Sequence, residues 1–145
     1  IACYVSFGTE PPTHRLLEVL AMDGCELVVP VVRADLDLDW TSWPAQAPGP
    51  TTPASQPAGP GRLATIGEVE LVFAPALAVS TTGARLGRGA GSYDRALTRV
   101  PPDVPVVAIV YDEEIVAQLP TQAHDRPVQA ALTPTRLVRL AQRDR

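Results

Sequence analysis

The segment from residue 85 to residue 95, RLGRGAGSYDR, combines residue types that bind phosphate. Three glycines alternate along it, which lets the main chain approach an anion closely and adopt positive φ angles. Three arginines contribute planar donors that match phosphate oxygens. The glycines are Gly87, Gly89 and Gly91, and the arginines are Arg85, Arg88 and Arg95. The segment predicts an anion site, with a flexible surface turn as the alternative interpretation.

The same segment offers a position for a metal ion but lacks the common nucleotide-binding motifs. Asp94 follows the glycines, and Mg²⁺ usually shares one or two carboxylates with substrate phosphates. No Gly-Lys-Ser or Gly-Lys-Thr follows, so the segment is not a Walker loop, and the pattern G-x-G-x-x-G does not occur. The anion prediction therefore depends on the glycines, the arginines and the acid alone.

The elements around this segment are those that would position a phosphate site. A strongly apolar strand is predicted over residues 69–79, before the glycines, and a short helix over residues 92–100, after them. The order strand, glycine loop, helix places backbone N–H groups around an anion. Position in the chain therefore favours the anion site over a simple turn.

Strands and helices are predicted to alternate along the rest of the chain. The other predicted strands cover residues 1–7, 25–32, 104–111 and 128–133, and the other predicted helices cover residues 11–24, 112–119 and 134–145. Such alternation predicts an α/β fold with a mostly parallel sheet and helices on both faces. Residues 45–61 are rich in proline and glycine and predict a surface loop or linker, or a loop that covers part of a ligand site. Trp40 and Trp43 precede that loop as packing or ligand-stacking residues.

Bulk properties describe one domain of 145 residues with a formal net charge of −4. The negative charge argues against broad nucleic-acid binding but permits a local basic site. Cys3 and Cys25 each lie in an apolar run and are expected to be buried free thiols, which favours a reducing cytoplasm. No apolar run approaches the roughly 20 residues that span a bilayer. The chain begins at Ile1 within an apolar run, so a preceding segment is expected to be missing, and a monomer or weak homodimer is predicted.

Several segments together resemble the 5-formyltetrahydrofolate cyclo-ligase family, also called methenyltetrahydrofolate synthetase. The family signature is similar to G-x-R-L-G-[RK]-G-x-G-[YF]-Y-D, and residues 83–94 read GARLGRGAGSYD. SFGTEPPT at 6–13, FAPALAV at 73–79 and LPTQAHDRPVQAALTP at 119–134 resemble companion segments in the same order. The resemblance extends along essentially the whole chain.

This resemblance implies an enzyme that uses ATP and Mg²⁺ to close 5-formyltetrahydrofolate to 5,10-methenyltetrahydrofolate. It implies a three-layer α/β/α fold of the kind found in sugar-phosphate isomerases (NagB, RpiA) and CoA transferases. By motif match the ATP-binding residues are Arg85, Leu86, Gly87, Arg88, Gly89, Ala90, Gly91, Ser92 and Tyr93, with Arg88 and Tyr93 as the catalytic ones. The folate-binding residues are Val5, Glu10 and Ser92, and the Mg²⁺ ligands are Asp94 and Asp125. Without the resemblance, Glu10 is a solvated or capping carboxylate and Asp125 a turn residue.

The sequence departs from the family pattern at several positions. Ser92 stands where the family usually has an aromatic residue, and Ala90 stands where some members have lysine. Ser80 ends a strand that commonly ends in aspartate, and Gln122 replaces a glutamate. Two alternatives therefore stay open: a non-catalytic homologue that binds nucleotide or folate, and a different enzyme of the same fold that acts on a sugar phosphate.

Overall fold

The computed structural model describes residues 1–43, 65–122 and 125–141. The proline- and glycine-rich segment predicted as a loop, residues 45–61, lies outside the described residues. In chain order the strands and helices are β1 (Ala2–Cys3), α1 (His14–Met22), β2 (Leu27–Val32), β3 (Leu38–Trp43), β4 (Val72–Pro75), β5 (Ala78–Ser80), β6 (Arg85–Leu86), α2 (Ser92–Leu97), β7 (Val106–Ile109), β8 (Ile115–Val116), β9 (Ala130–Leu132) and β10 (Leu137–Arg139).

Seven of these strands form one sheet in the order β10-β9-β7-β4-β1-β2-β3. The inner neighbours β2, β1, β4, β7 and β9 pair in parallel. Both edge strands, β3 and β10, pair antiparallel to their neighbours. The prediction of an α/β fold with a mostly parallel sheet is thus confirmed. The carboxyl ends of the parallel strands meet at one edge, where ligand sites of open α/β sheets collect.

Both faces of the sheet are covered by apolar side chains. Along β7, Val106 and Ala108 belong to one buried cluster, and Val107 and Ile109 belong to the other. Because side chains alternate along a strand, a strand buried on both faces is apolar throughout. Leu17 of α1 lies in one cluster, whereas α2 and a small second sheet, β6-β5-β8, contribute to the other. The fully three-layered α/β/α arrangement and the isomerase-like fold type stay predictions.

Helix α1 confirms the helix predicted over residues 11–24. Leu17 is fully buried, and Leu16 and Leu20 pack against the same cluster. The spacing of these leucines places them on one helical face. Gly24 follows the helix with φ of 82°, in the left-handed region that a glycine adopts at little cost. No helix in the described part of the chain is long and apolar enough to span a membrane.

Two predicted helices are wrong. Residues 112–119 form a single 3₁₀ turn, Asp112–Glu114, followed by strand β8, because β-branched Ile115 pairs with β5. Residues 134–145 instead contain strand β10, which pairs with β9 across a turn; the last four residues are outside the described ranges. The strand predicted over residues 69–79 divides into β4 and β5. Local apolar spacing does not show which strand a segment will pair with.

Both cysteines are free thiols. Cys3 is buried, as predicted, and burial raises the pKa of its thiol to about 12. Cys25 is only partly buried, so the prediction of a buried thiol is wrong there. It lies just before β2, after α1 has ended. Trp40 confirms the packing interpretation, since its side chain is buried in the core.

Candidate active site

A cavity of about 680 Å³ lies beside the carboxyl ends of β1 and β4. One wall comes from residues 4–7 after β1, and another from residues 75–77 after β4. The glycine segment forms a third wall, with every residue from 85 to 94 lining the cavity except Leu86. Side chains of β2 and β3 complete it. The cavity therefore brings together the two segments predicted to bind ATP and folate.

Glycine is required at two positions of the glycine segment. Gly89 and Gly91 have φ of 92° and 68°, in the left-handed region that favours glycine. Gly91 is also the residue before α2, and a Cβ there would lie 3.0 Å from a guanidinium nitrogen of Arg95. At Gly87 a Cβ would lie 3.1 Å from a guanidinium nitrogen of Arg85. The glycines thus allow both the turn and the close packing of arginines against it.

Arg85 is an internal support of this wall. Its side chain is only 5% exposed, and it forms an ion pair with Asp94. Its Nη1 also donates to the carbonyl oxygen of Pro75 at 3.2 Å. The guanidinium carbon lies 6.0 Å from the centroid of the Tyr93 ring. Arg85 therefore fixes Asp94 and the end of β4, while the Asp94 side chain stays 42% exposed at the cavity.

Arg88 joins the glycine segment to the segment after β1. Its Nη2 donates to Oε1 of Glu10 at 3.3 Å, and its guanidinium carbon lies 4.7 Å from the centroid of the Phe7 ring. The other Glu10 oxygen accepts the backbone N–H of Phe7 at 3.0 Å. The Glu10 side chain is 11% exposed, whereas that of Arg88 is half-exposed. The predicted phosphate and folate residues are therefore direct partners.

Tyr93 lies between the two apolar clusters, at the base of the glycine wall. Its ring packs edge-to-face against Trp40, with centroids 6.3 Å apart. The phenol oxygen is buried and has no hydrogen-bond partner among the described residues. Burial raises the pKa of this phenol well above its ordinary value, with a further increase from the nearby Cys3. Tyr93 therefore stays protonated and keeps a donor that the described part of the protein does not use.

Ser92 and Arg95 anchor the glycine segment to the turn between β2 and β3. The Ser92 hydroxyl donates to the carbonyl oxygen of Leu36, and a guanidinium nitrogen of Arg95 donates to the same oxygen at 2.9 Å. Leu36 has φ of 63°, an uncommon conformation for a non-glycine residue. Ser92 lines the cavity, but Arg95 does not. Arg95, which the sequence favoured as a phosphate donor, is thus placed as an anchor.

Asp125, the second predicted metal ligand, does not line the cavity. Its carboxylate accepts the backbone N–H of Gln122 at 2.7 Å, and its own N–H donates to the Gln122 carbonyl at 3.1 Å. These bonds join Asp125 to Gln122. Among the described residues, no group of three or more His, Cys, Asp or Glu side chains is arranged to hold a metal. The structure therefore places Asp94, and not Asp125, on the cavity wall.

The cavity residues that sequence reasoning missed include Tyr4, Phe7 and Leu77. Tyr4 directly follows β1 and Phe7 lies in the same segment after that strand, while Leu77 lies in the segment after β4. Their position just after parallel strands was the available signal, because ligand sites collect at that edge. Val5, which the family resemblance indicated, does line the cavity. Tyr4 is only 4% exposed, and its phenol oxygen has no hydrogen-bond partner among the described residues.

The fold and cavity define an α/β protein with a ligand site at the carboxyl edge of its sheet, walled by glycines and arginines. Residues 1–134 match the model of the 5-formyltetrahydrofolate cyclo-ligase family. The chain belongs to this family.

Individual relatives agree with this assignment. The chain is 38% identical to a 5-formyltetrahydrofolate cyclo-ligase of Mycolicibacterium smegmatis over 94% of this chain and 74% of the relative. It is 33% identical to the mouse 5-formyltetrahydrofolate cyclo-ligase over 63% of this chain and 44% of that protein. The structure of Aquifex aeolicus 5,10-methenyltetrahydrofolate synthetase superposes with a TM-score of 0.75 at 26% identity, over 99% of this chain and 73% of that one. The Mycoplasma pneumoniae synthetase, at 18% identity and a TM-score of 0.68, covers 90% of this chain and 70% of its own, and shares the fold.

Proposed function

We propose that this protein catalyses the ATP- and Mg²⁺-dependent cyclisation of 5-formyltetrahydrofolate to 5,10-methenyltetrahydrofolate, with release of ADP and phosphate. Family membership and the names of the relatives support the reaction. One structural observation carries the proposal: Arg88 and Glu10, from the segments predicted to bind ATP and folate, meet across a single cavity. Two substrates that react with each other must share one site in a defined orientation.

The proposed reaction needs no nucleophile from the protein. The formyl oxygen attacks the γ-phosphorus of ATP, and ADP leaves. N10 then attacks the activated formyl carbon and loses its proton, and phosphate departs with the former formyl oxygen. Phosphoryl transfer depends mainly on positioning and on neutralising charge. The protein's task is thus to align two ligands, to supply positive charge and to limit the access of water.

Arg88 and the glycine backbone are the proposed phosphate-binding groups. The single, partly solvated contact between Arg88 and Glu10 is weak, so Arg88 can turn toward a phosphate at little cost. The main chain of residues 85–93 would surround the phosphates, including Leu86 and Ala90, whose side chains carry no charge. The protonated phenol of Tyr93 would act as a hydrogen-bond donor to a reacting oxygen. Val5, Glu10 and Ser92 would contact the folate.

Asp94 fits the requirements for a Mg²⁺ ligand. It is a carboxylate on the cavity wall, partly exposed, and oriented by the guanidinium of Arg85. One or two carboxylates together with substrate phosphates suffice for Mg²⁺. The ion would supply positive charge to the phosphate oxygens. Asp125 is proposed as the second Mg²⁺ ligand on the family resemblance alone, since its carboxylate accepts from the backbone of Gln122 and does not line the cavity.

We further propose that the protein is cytoplasmic and acts as a monomer or weak homodimer on small molecules, without nucleic acid or membrane partners. The net charge of −4 and the two free thiols support it. Light scattering of the purified chain checks the oligomeric state, and a stable higher oligomer would contradict it.

A direct assay tests the reaction. Protein is mixed with ATP, Mg²⁺ and 5-formyltetrahydrofolate, and the methenyl product is followed by its absorbance. We expect product that requires all three components. Binding of both ligands without product would contradict the ligase and favour a non-catalytic homologue. The departures of Ser92 and Ala90 from the family signature motivate this alternative.

A further inference from the structure

Phe7 is an exposed aromatic side chain on the cavity wall. It is 65% exposed and lines the cavity together with two other exposed apolar residues, Val32 and Leu77. Large apolar side chains that are exposed around one cavity indicate a contact surface. The aromatic ring adds a flat face suited to another ring. Neither the motif nor the proposed phosphate chemistry uses this side chain.

The position of Phe7 is fixed before any ligand binds. Its backbone N–H donates to Glu10, and the preceding Ser6 exchanges two hydrogen bonds of 2.9 Å with Thr13, just before α1. Arg88 lies over the ring at 4.7 Å, within the range of a cation–π contact. A ring that is covered by one cation and still 65% exposed has its remaining surface open. Phe7 is therefore a pre-organised platform.

The exposed fractions of neighbouring residues indicate which part of the folate would lie nearest to solvent along the cavity wall. Tyr4 is 4% exposed, the Glu10 side chain 11%, and Phe7 65%, so Phe7 is the most accessible of the three. Under the proposed function, Glu10 contacts the pterin or its formyl group. The next part of the folate toward solvent is the 4-aminobenzoyl ring, which is flat and aromatic. It would reach the wall where Phe7 is exposed.

We propose that Phe7 is a specificity-determining residue that stacks against the 4-aminobenzoyl ring of the folate. This inference rests on the proposed function and extends it to the recognition of one part of the substrate. Aromatic pairs prefer offset-stacked or edge-to-face geometry, and both are available to a ring whose surface is largely open. Phe7 thereby selects folates over free pterins, while Glu10 recognises the part that both share.

The test compares two ligands and matched variants. Equilibrium binding of 5-formyltetrahydrofolate, and of a 5-formyltetrahydropterin that lacks the aminobenzoylglutamate arm, is measured for wild type, Phe7→Ala and Phe7→Trp. Leu137→Ala serves as control, because Leu137 is 63% exposed but lies on β10 and does not line the cavity. We expect Phe7→Ala to weaken folate binding about tenfold and pterin binding less than twofold, and Phe7→Trp to restore folate binding. Leu137→Ala should match wild type.

The outcomes separate the two proposals. If wild type forms product but Phe7→Ala binds folate as tightly as wild type, only the Phe7 assignment is overturned. Equal loss of folate and pterin binding would also overturn it, because it would indicate a general disturbance of the site. A change in oligomeric state with unchanged folate affinity would assign the exposed ring to a second copy of the chain instead. If wild type binds no 5-formyltetrahydrofolate, both proposals fall.

Discussion

The two aspartate–arginine pairs Asp94–Arg85 and Asp112–Arg136 differ in what surrounds them. At the glycine segment, Asp94 pairs with Arg85 and lines the cavity. After β7, Asp112 pairs with Arg136 of the turn between β9 and β10, and Asp112 does not line the cavity. The Asp112 carboxylate also accepts hydrogen bonds from the hydroxyls of Thr133 and Thr135.

An ion pair alone therefore does not indicate a functional carboxylate. The Asp112 carboxylate, which follows β7, accepts hydrogen bonds from donors of the turn between β9 and β10, so its role is to hold the ends of β7 and β9 together. At the glycine segment, the arginine is buried and the carboxylate is partly exposed to a cavity. There the arginine orients the acid for a further ligand. Paired substitutions in the two regions test this contrast.

The largest expected effect is the loss of turnover in Asp94→Asn. The amide keeps an oxygen that can accept from Arg85, whereas the negative charge for Mg²⁺ is removed. We expect turnover to fall roughly 100-fold or more, because a bound metal ion supplies several kcal/mol of transition-state charge stabilisation. The melting temperature should fall less than in Asp94→Ala, because the amide keeps the hydrogen bond with Arg85. Turnover at several Mg²⁺ concentrations, together with thermal unfolding, measures both quantities. Asp112→Asn is the matched control and should retain turnover.

The choice of asparagine follows from the burial of Arg85. In Asp94→Ala, the guanidinium would lose its charged partner while only 5% exposed, which can cost about 3–5 kcal/mol of stability. Lost turnover in the alanine variant would therefore not distinguish catalysis from folding. If Asp94→Asn keeps wild-type turnover, the metal assignment is wrong and Asp94 is structural, like Asp112.

A smaller effect is expected for the two accessible arginines. Arg88→Ala should weaken ATP binding about tenfold, because one charge-assisted hydrogen bond is worth about 1.5–3 kcal/mol and this side chain is half-exposed. Arg136→Ala should leave ATP affinity unchanged, since Arg136 donates to Asp112 outside the cavity. Calorimetry with a non-hydrolysable ATP analogue measures both. An Arg88→Ala variant with wild-type affinity would remove Arg88 from the phosphate site.

The sequence predicted the glycine wall well because its signal is local. Alternating glycines between a strand and a helix indicate a tight turn wherever they occur, and the structure has that order. What each arginine does depends on residues far away in the chain: Arg85 on Pro75, Arg88 on Glu10, and Arg95 on Leu36. No local pattern shows such contacts, so the sequence alone predicts the same phosphate-binding role for all three arginines.

The same reasoning explains the two wrong helices. Residues 112–119 and 134–145 have apolar spacings compatible with a helix, but each contains a short strand. Strand β8 pairs with the distant β5, and β10 pairs with β9 across a turn. Tertiary pairing outweighs helix propensity, which amounts to a few tenths of a kcal/mol per residue.

The smallest expected effect is a pH-dependent change in the stability of the fold, caused by the hydrogen bonds between Asp112 and the turn between β9 and β10. Hydrogen bonds from Thr135 and Thr133, and the Arg136 charge, hold the pKa of Asp112 below its usual value. A carboxylate with a lowered folded-state pKa stabilises the fold above its unfolded pKa of about 4 and loses that contribution as the pH falls. Asp112→Asn should therefore melt below wild type at pH 7, and the difference should shrink steadily below about pH 4. A difference that stays constant across this range would show that the carboxylate charge plays no part in holding the turn, and that only the shape of the side chain matters there.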